Sequence, residues 1–186
     1  MYITITDEMK KYAKLESKKR ESYIKHHFTT SHFSNMQSNE IGFLGEFAIC
    51  TYLNIDWKKN IRLDYKTIDT GDGKINNKVF DVKTETIPGF FLKKLLSNNL
   101  KDTEAYGKRW INVDQASLLR KYDIIIFGAF NRDDTSYSKW YPLGWVKVEQ
   151  LKNFKATKDS TKKKSTAAIK VPHSMLKPMN LLNLME

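Results

Sequence analysis

Within GDGKINNKVFDVKTE, residues 71–85, two aspartates and a lysine are the side chains whose types and spacing could do chemistry. Asn76 and Asn77 lie midway between Asp72 and Asp81, and asparagine tolerates positive φ well enough to form a two-residue hairpin turn. Folded on that turn, Ile75 faces Lys78 and, in regular register, Asp72 faces Asp81. Side chains alternate along a strand, so Lys83 joins Asp81 on one face while Phe80 and Val82 point to the other. Like charges opposed across two strands are destabilising, so hairpin stability alone gives no reason for this arrangement. A divalent cation does: hard oxygen ligands converge on Mg2+, and a nearby lysine orients water or steadies a developing negative charge. The bland alternative is that Lys83 pairs with Asp81 as a structural ion pair. Asp69 would face Thr84, on the wrong side of the strand, and is the weaker candidate. Glu85 shares the Lys83 face and is expected to be exposed. All of this assumes a regular ladder, which Gly71 and Gly73 could break with a bulge.

The elements that must hold these groups come next. NEIGFLGEFAICTYL, residues 39–53, places Ile41, Leu44, Ala48, Ile49 and Tyr52 along one side at helical spacing. Gly42 and Gly45 each cost about 1 kcal/mol inside a helix relative to alanine, so a close approach of another backbone is expected there. Glu46 flanks the apolar stripe, where it can reach inward or remain a solvated helix glutamate. Residues 7–28 read as an earlier helix capped by Asp7, and 28–39 as a polar connector. Beyond the hairpin, 87–100 reads as a short helix entered through Pro88, and 113–122 as another. The unbroken apolar run DIIIFGAF, residues 123–130, reads as a fully buried strand, and 140–148 as a second one.

Composition narrows the class. The 186 residues suit a single domain, and 40 % hydrophobic with 12 % aromatic content suits a packed core. The net charge of +11 points to a polyanionic partner, nucleic acid before an acidic membrane, with a merely solubilising surface as the alternative. The helix at 7–28 carries seven basic residues, including Lys18, Lys19 and Arg20, which either contact phosphates or form a solvated face. Lys152 to Lys170, with Lys162, Lys163 and Lys164 at its centre, reads as a mobile basic loop, and the last residues as a segment docking back on the body. The single cysteine, Cys50, excludes an internal disulfide and reads as a small buried residue. MYITITDEMKKYAK has no apolar core fit for a signal peptide, so a cytoplasmic location is expected.

GFLGEFA on a helix followed by GDG and FDVKT on a hairpin resembles the PD-(D/E)xK nuclease superfamily, which includes restriction endonucleases and Holliday junction resolvases. The resemblance covers about residues 39–148. It implies an α/β, restriction-endonuclease-like core: a central mixed β-sheet flanked by helices. Residues 1–38 would add the N-terminal basic helix and connector, and 149–186 the basic loop and docking segment, all in one nuclease domain. The resemblance matches Glu46 to the helix glutamate, Asp72 to the first aspartate, and Asp81-Val82-Lys83 to the acidic-x-Lys element. Gly71 stands where the signature has proline, and Asp81 where many members have glutamate. What it implies is phosphodiester hydrolysis of DNA with Mg2+, or Mn2+ as substitute. Asp72, Asp81 and the Val82 carbonyl would hold one ion, Glu46 would bind through water or complete a second site, and Lys83 would position the attacking water. Members commonly act as dimers, so a homodimer is implied as well. The alternative is a non-catalytic nucleic-acid-binding module that keeps the fold.

Overall fold

The computed structural model describes residues 1–23, 34–66, 71–113, 116–157 and 167–184. Its centre is a five-stranded mixed sheet. Strands β1 (Ile3–Thr4), β2 (Gly73–Ile75), β3 (Lys78–Ile87), β5 (Ile124–Asn131) and β6 (Lys139–Lys147) stand in the order β1-β6-β5-β3-β2. The apolar run at 124–130 is buried throughout, because β5 lies in the middle of the sheet with both faces covered. β3 pairs with β5 in parallel, Asp81 beside Ile125 and Lys83 beside Phe127. A parallel pair requires a crossover, here α3 (Gly89–Leu96), β4 (Lys108–Asn112) and α4 (Ala116–Leu119). The other pairings in this sheet are antiparallel.

One face of the sheet is covered by α1 (Asp7–Glu21) and α2 (Asn35–Tyr52), which pack Met9, Ala13, Leu44, Phe47 and Ala48 against Phe80, Val82, Ile124 and Ile126. The α1 cap is Thr6, whose hydroxyl accepts from the Met9 N–H, rather than Asp7. Glu21 is the last helical residue of α1, so it stops short of the expected Phe28; residues 24–33 lie outside those described. α2 starts four residues earlier than the sequence pattern suggests. Ser34 and Gln37 close a capping box there, so the end of the expected polar connector is helix.

The opposite face is covered by α3 and by a second sheet that the sequence pattern did not reveal. β4, β8 (Ala168–Pro172) and β7 (Ala156–Thr157) form an antiparallel sheet in the order β4-β8-β7. Ile111, Leu119, Val171 and Leu151 pack with Ile125, Phe127 and Val146. The stretch expected as a basic loop therefore contains two strands; in β8, Ala168 and Val171 are buried while Lys170 is half-buried, its ammonium 4.5 Å over the Trp110 ring. The C-terminal segment docks as expected: Met179 and Leu182 are buried in the α1–α2 cluster, and Lys177 bridges to Trp145. The first residues also join the body, since Ile3 and Thr4 pair with Trp140 and Lys139. Among the described residues, no helix is long and apolar enough to cross a membrane.

Candidate active site

The hairpin turns as its sequence suggests. Asn76 and Asn77 have φ of 47° and 62°, and Ile75 pairs with Lys78, Lys74 with Val79 and Gly73 with Phe80. The regular ladder stops at Gly73, one residue short of the expected Asp72–Asp81 pair. The Asp72 N–H donates to the Phe80 carbonyl at 2.9 Å, while its Oδ2 accepts from the Val82 N–H at 2.7 Å. A carboxylate thus substitutes for the missing strand partner. Gly71 makes this turn possible with φ of +119°, and a Cβ there would meet Val79 Cγ1 at 2.4 Å. Proline, fixed near −65°, cannot occupy that backbone.

Because β2 is only three residues long, β3 has no strand neighbour on that side beyond Phe80 among the described residues. This open edge is where the charges meet. The N–H and C=O of one strand residue point the same way, so the Val82 carbonyl faces the Asp72 edge along with its N–H. Lys83 Nζ lies 2.8 Å from Asp81 Oδ2, with both side chains largely buried. Glu46 approaches from α2 and is half-buried. It acts electrostatically on both Asp72 and Lys83. The four expected residues are therefore brought into one charged cluster.

Burial, followed by the Glu46 and Asp81 charges, pushes the Asp72 carboxyl well above its ordinary value, against the opposing effects of the Val82 N–H and Lys83. Burial also works against the Lys83 ammonium, but Asp81, Asp72 and Glu46 outweigh it and raise its pKa. Three carboxylates sharing one ammonium have a formal charge of −2 when ionised, and their donors are all hard oxygens, which suits Mg2+. Among the described residues, no group of three or more His, Cys, Asp or Glu side chains is placed so that it could hold a metal ion; Glu46, Asp72 and Asp81 interact through charge.

α2 is positioned by Gly45, where a Cβ would fall 1.7 Å from Thr84 Oγ1. The close neighbour is thus a side chain rather than the expected backbone. Gly42 has nothing within 4 Å of a built Cβ and does not make the expected packing contact. Asn60 is a residue that sequence reasoning missed. Its amide donates to the Asp72 carbonyl at 2.9 Å, fixing the backbone of the aspartate; nothing local in WKKN signals that long-range bond. Cys50 is buried beside the same carbonyl, and burial followed by the Asp72 charge pushes its thiol up to about 12.

Glu85 is not the exposed residue expected. It bonds to Arg109 of β4, a completely buried arginine that also donates to the Tyr106 carbonyl. Burial raises the Glu85 carboxyl despite that partner. The basic residues of α1 divide. Lys18 is exposed, whereas Lys19 binds Glu16 and the Arg62 carbonyl, and Arg20 lies 5.6 Å over the Phe43 ring. Asp69 and Lys162, Lys163 and Lys164 lie outside the described residues. Comparison with protein-family models, with curated proteins and with solved structures finds no match for this chain.

Proposed function

We propose that the chain is a metal-dependent nuclease that hydrolyses phosphodiester bonds of DNA, built on a restriction-endonuclease-like core. The observation that carries this reading is the cluster of Glu46, Asp72 and Asp81 around Lys83 at the open edge of β3. Carboxylates repel phosphates, so a chain of net charge +11 has no reason to gather them at a phosphate-binding edge unless they hold a cation.

The Asp72 and Asp81 carboxylates, the Val82 carbonyl and Glu46 would hold Mg2+, or Mn2+ in its place; bound there, the ion supplies Lewis-acid neutralisation of the phosphate charge. The protein's own groups do the rest. Lys83 keeps its proton because three carboxylates surround it, so its ammonium is available to a phosphoryl oxygen as negative charge develops. Asp72 is oriented in advance by Val82, Phe80 and Asn60. Lys83 would also position the attacking water, and Glu46, on a helix rather than the strand, would bind the ion through water or complete a second site from the α2 side.

A second reading, a non-catalytic nucleic-acid-binding module, is favoured by the 2.8 Å Lys83–Asp81 ion pair, which satisfies both charges without a metal. Substitution separates the two. Asp81→Ala should abolish Mg2+-dependent cleavage while DNA binding stays equal or tightens, because a negative charge near the phosphates is gone. Lys83→Ala should also abolish cleavage but weaken binding slightly. Wild-type protein that cuts no DNA or RNA with Mg2+ or Mn2+, and gains no thermal stability from either ion, would end the nuclease reading.

A further inference from the structure

A cavity of about 640 Å³ opens where the second sheet meets the ends of β3, β5 and β6. Its floor is aromatic and apolar, with Tyr122 and Phe154, and its rim carries Lys78, Arg120, Lys147 and Lys152. Two acids also line it, Asp123, which accepts the Val79 N–H at 2.7 Å, and Glu149, 3.7 Å from Lys147; four cations against two carboxylates leave the lining cationic overall.

Its position relative to the carboxylates follows from strand alternation. Tyr122 and Phe154 pack in the cluster that includes Val79, Ile125 and Phe127. Val79 shares its face of β3 with Asp81 and Lys83, and Ile125 and Phe127 are their register partners. The cavity and the Asp81–Lys83 pair are therefore on one face of the sheet. Lys78 on the rim is three residues from Asp81, about 10 Å along the strand.

Resting on the nuclease reading above, we propose that this cavity takes an unpaired nucleotide adjacent to the phosphate at Asp72 and Asp81. The favoured substrate is then DNA with an unpaired or displaced nucleotide rather than intact duplex. The volume falls in the range of pockets that enclose small organic molecules. It admits one nucleotide, and a paired base reaches such a pocket only by leaving its stack. An aromatic floor offers a stacking surface to any base, and lysines and arginine around it meet the flanking phosphates. Extruding a paired base costs a few kcal/mol and least where the base is already unpaired, so the pocket selects by pairing state rather than by sequence.

The test is made on binding, in an Asp81→Ala background that removes cleavage. Two hairpin oligonucleotides are compared, one with an unpaired 2-aminopurine and one with the same base paired. Ala156→Trp fills the cavity mouth without changing charge, and Arg120→Ala with Lys152→Ala strips the rim. Ala156→Trp should weaken binding of the unpaired oligonucleotide about tenfold, the loss of one stacked base, and the rim variant should weaken it through lost phosphate contacts. Binding of the paired one should change by less than about twofold after Ala156→Trp. The 2-aminopurine fluorescence change should also disappear in both variants. Equal losses for both oligonucleotides in both variants, or no loss for either, overturn the pocket. Selective loss in a protein whose wild type never cuts would retire the catalytic reading and keep the nucleotide pocket.

Discussion

The charge cluster makes a prediction about stability that does not depend on activity. With Glu46, Asp72 and Asp81 ionised around Lys83, the metal-free protein holds an excess of negative charge at the β3 edge. Replacing Asp72 with Asn keeps an oxygen to accept the Val82 N–H and removes one of the repelling charges. Replacing Lys83 with Met removes the single compensating cation. Breaking a buried ion pair from one side costs about 3–5 kcal/mol. Lys83 is 25 % exposed, so water recovers part of this, and about 2–3 kcal/mol is expected. At about 2–4 °C per kcal/mol for a chain of this size, the melting midpoint of Lys83→Met should fall by about 5–10 °C at pH 7. Asp72→Asn should instead rise by about 2–4 °C, the effect of relieving about 1 kcal/mol of repulsion. The pH dependence has a definite sign. The folded Asp72 carboxyl is raised above its ordinary value of 3.8. Its stabilising contribution is present below that pH and is lost as pH rises through the raised folded value. The advantage of Asp72→Asn over wild type should therefore vanish near pH 4 and open toward neutrality. Calorimetry in EDTA measures both midpoints. If Asp72→Asn is destabilised at pH 7 while Lys83→Met is neutral, the carboxylates do not repel one another and the cluster reasoning fails.

Further expectations are separable from this one. Gly45→Ala should cost about 1–3 kcal/mol because its Cβ collides with Thr84, whereas Gly42→Ala, with open space around it, should stabilise by about 0.5–1 kcal/mol; urea unfolding of the two distinguishes them. The Cys50 thiol, pushed up to about 12 and buried, should resist alkylation at pH 8 in the folded protein and react once denatured; fast native labelling would contradict its burial. Affinity for duplex DNA should fall with salt, with a log–log slope of roughly −5 if six phosphates are contacted, and substituting Lys162, Lys163 and Lys164 should flatten it. A salt-independent affinity would make the basic surface a solubility device.

The features that sequence reasoning recovered are those with strong local rules. The Asn76–Asn77 turn sets the register of β2 and β3, and the unbroken run at 124–130 marks a strand covered on both faces. Asp72, Asp81 and Lys83 stood out as candidates because a hairpin gives charge patches no stabilising use, and Glu46 because it flanks the apolar stripe of its helix and matches the helix glutamate of the resemblance; the structure brings their charges together. The ladder fails at Asp72 because the left-handed Gly71 turns the chain away, a possibility the glycines signalled without fixing where it occurs. The second sheet was missed for a different reason. β7 has two residues and β8 five, too few for alternation to stand out among lysines, and they are recruited by β4 rather than by any pattern of their own. Arg109 was missed because a lone arginine in KRWIN looks like surface charge, and only the fold brings Glu85 to it.

Glu16 binds a cation on its own helix, but it also reaches well beyond α1. It is 1 % exposed and accepts the Tyr65 hydroxyl at 2.6 Å and the Arg62 N–H at 3.1 Å, in addition to Lys19. Burial would raise its carboxyl, but those partners together carry it below the ordinary value. One acid on the first helix therefore ties down the chain entering the β2 hairpin, and Arg20 adds its guanidinium over the Tyr65 ring. Opening α1 exposes an uncompensated carboxylate and releases residues 62–65 in the same event. The amino-terminal helix and the lead-in to Asp72 thus belong to one cooperative unit, and their amides should exchange with solvent together. A change on α1 far from the carboxylates can then reach them by altering how often that unit opens, with no displacement of the folded ground state.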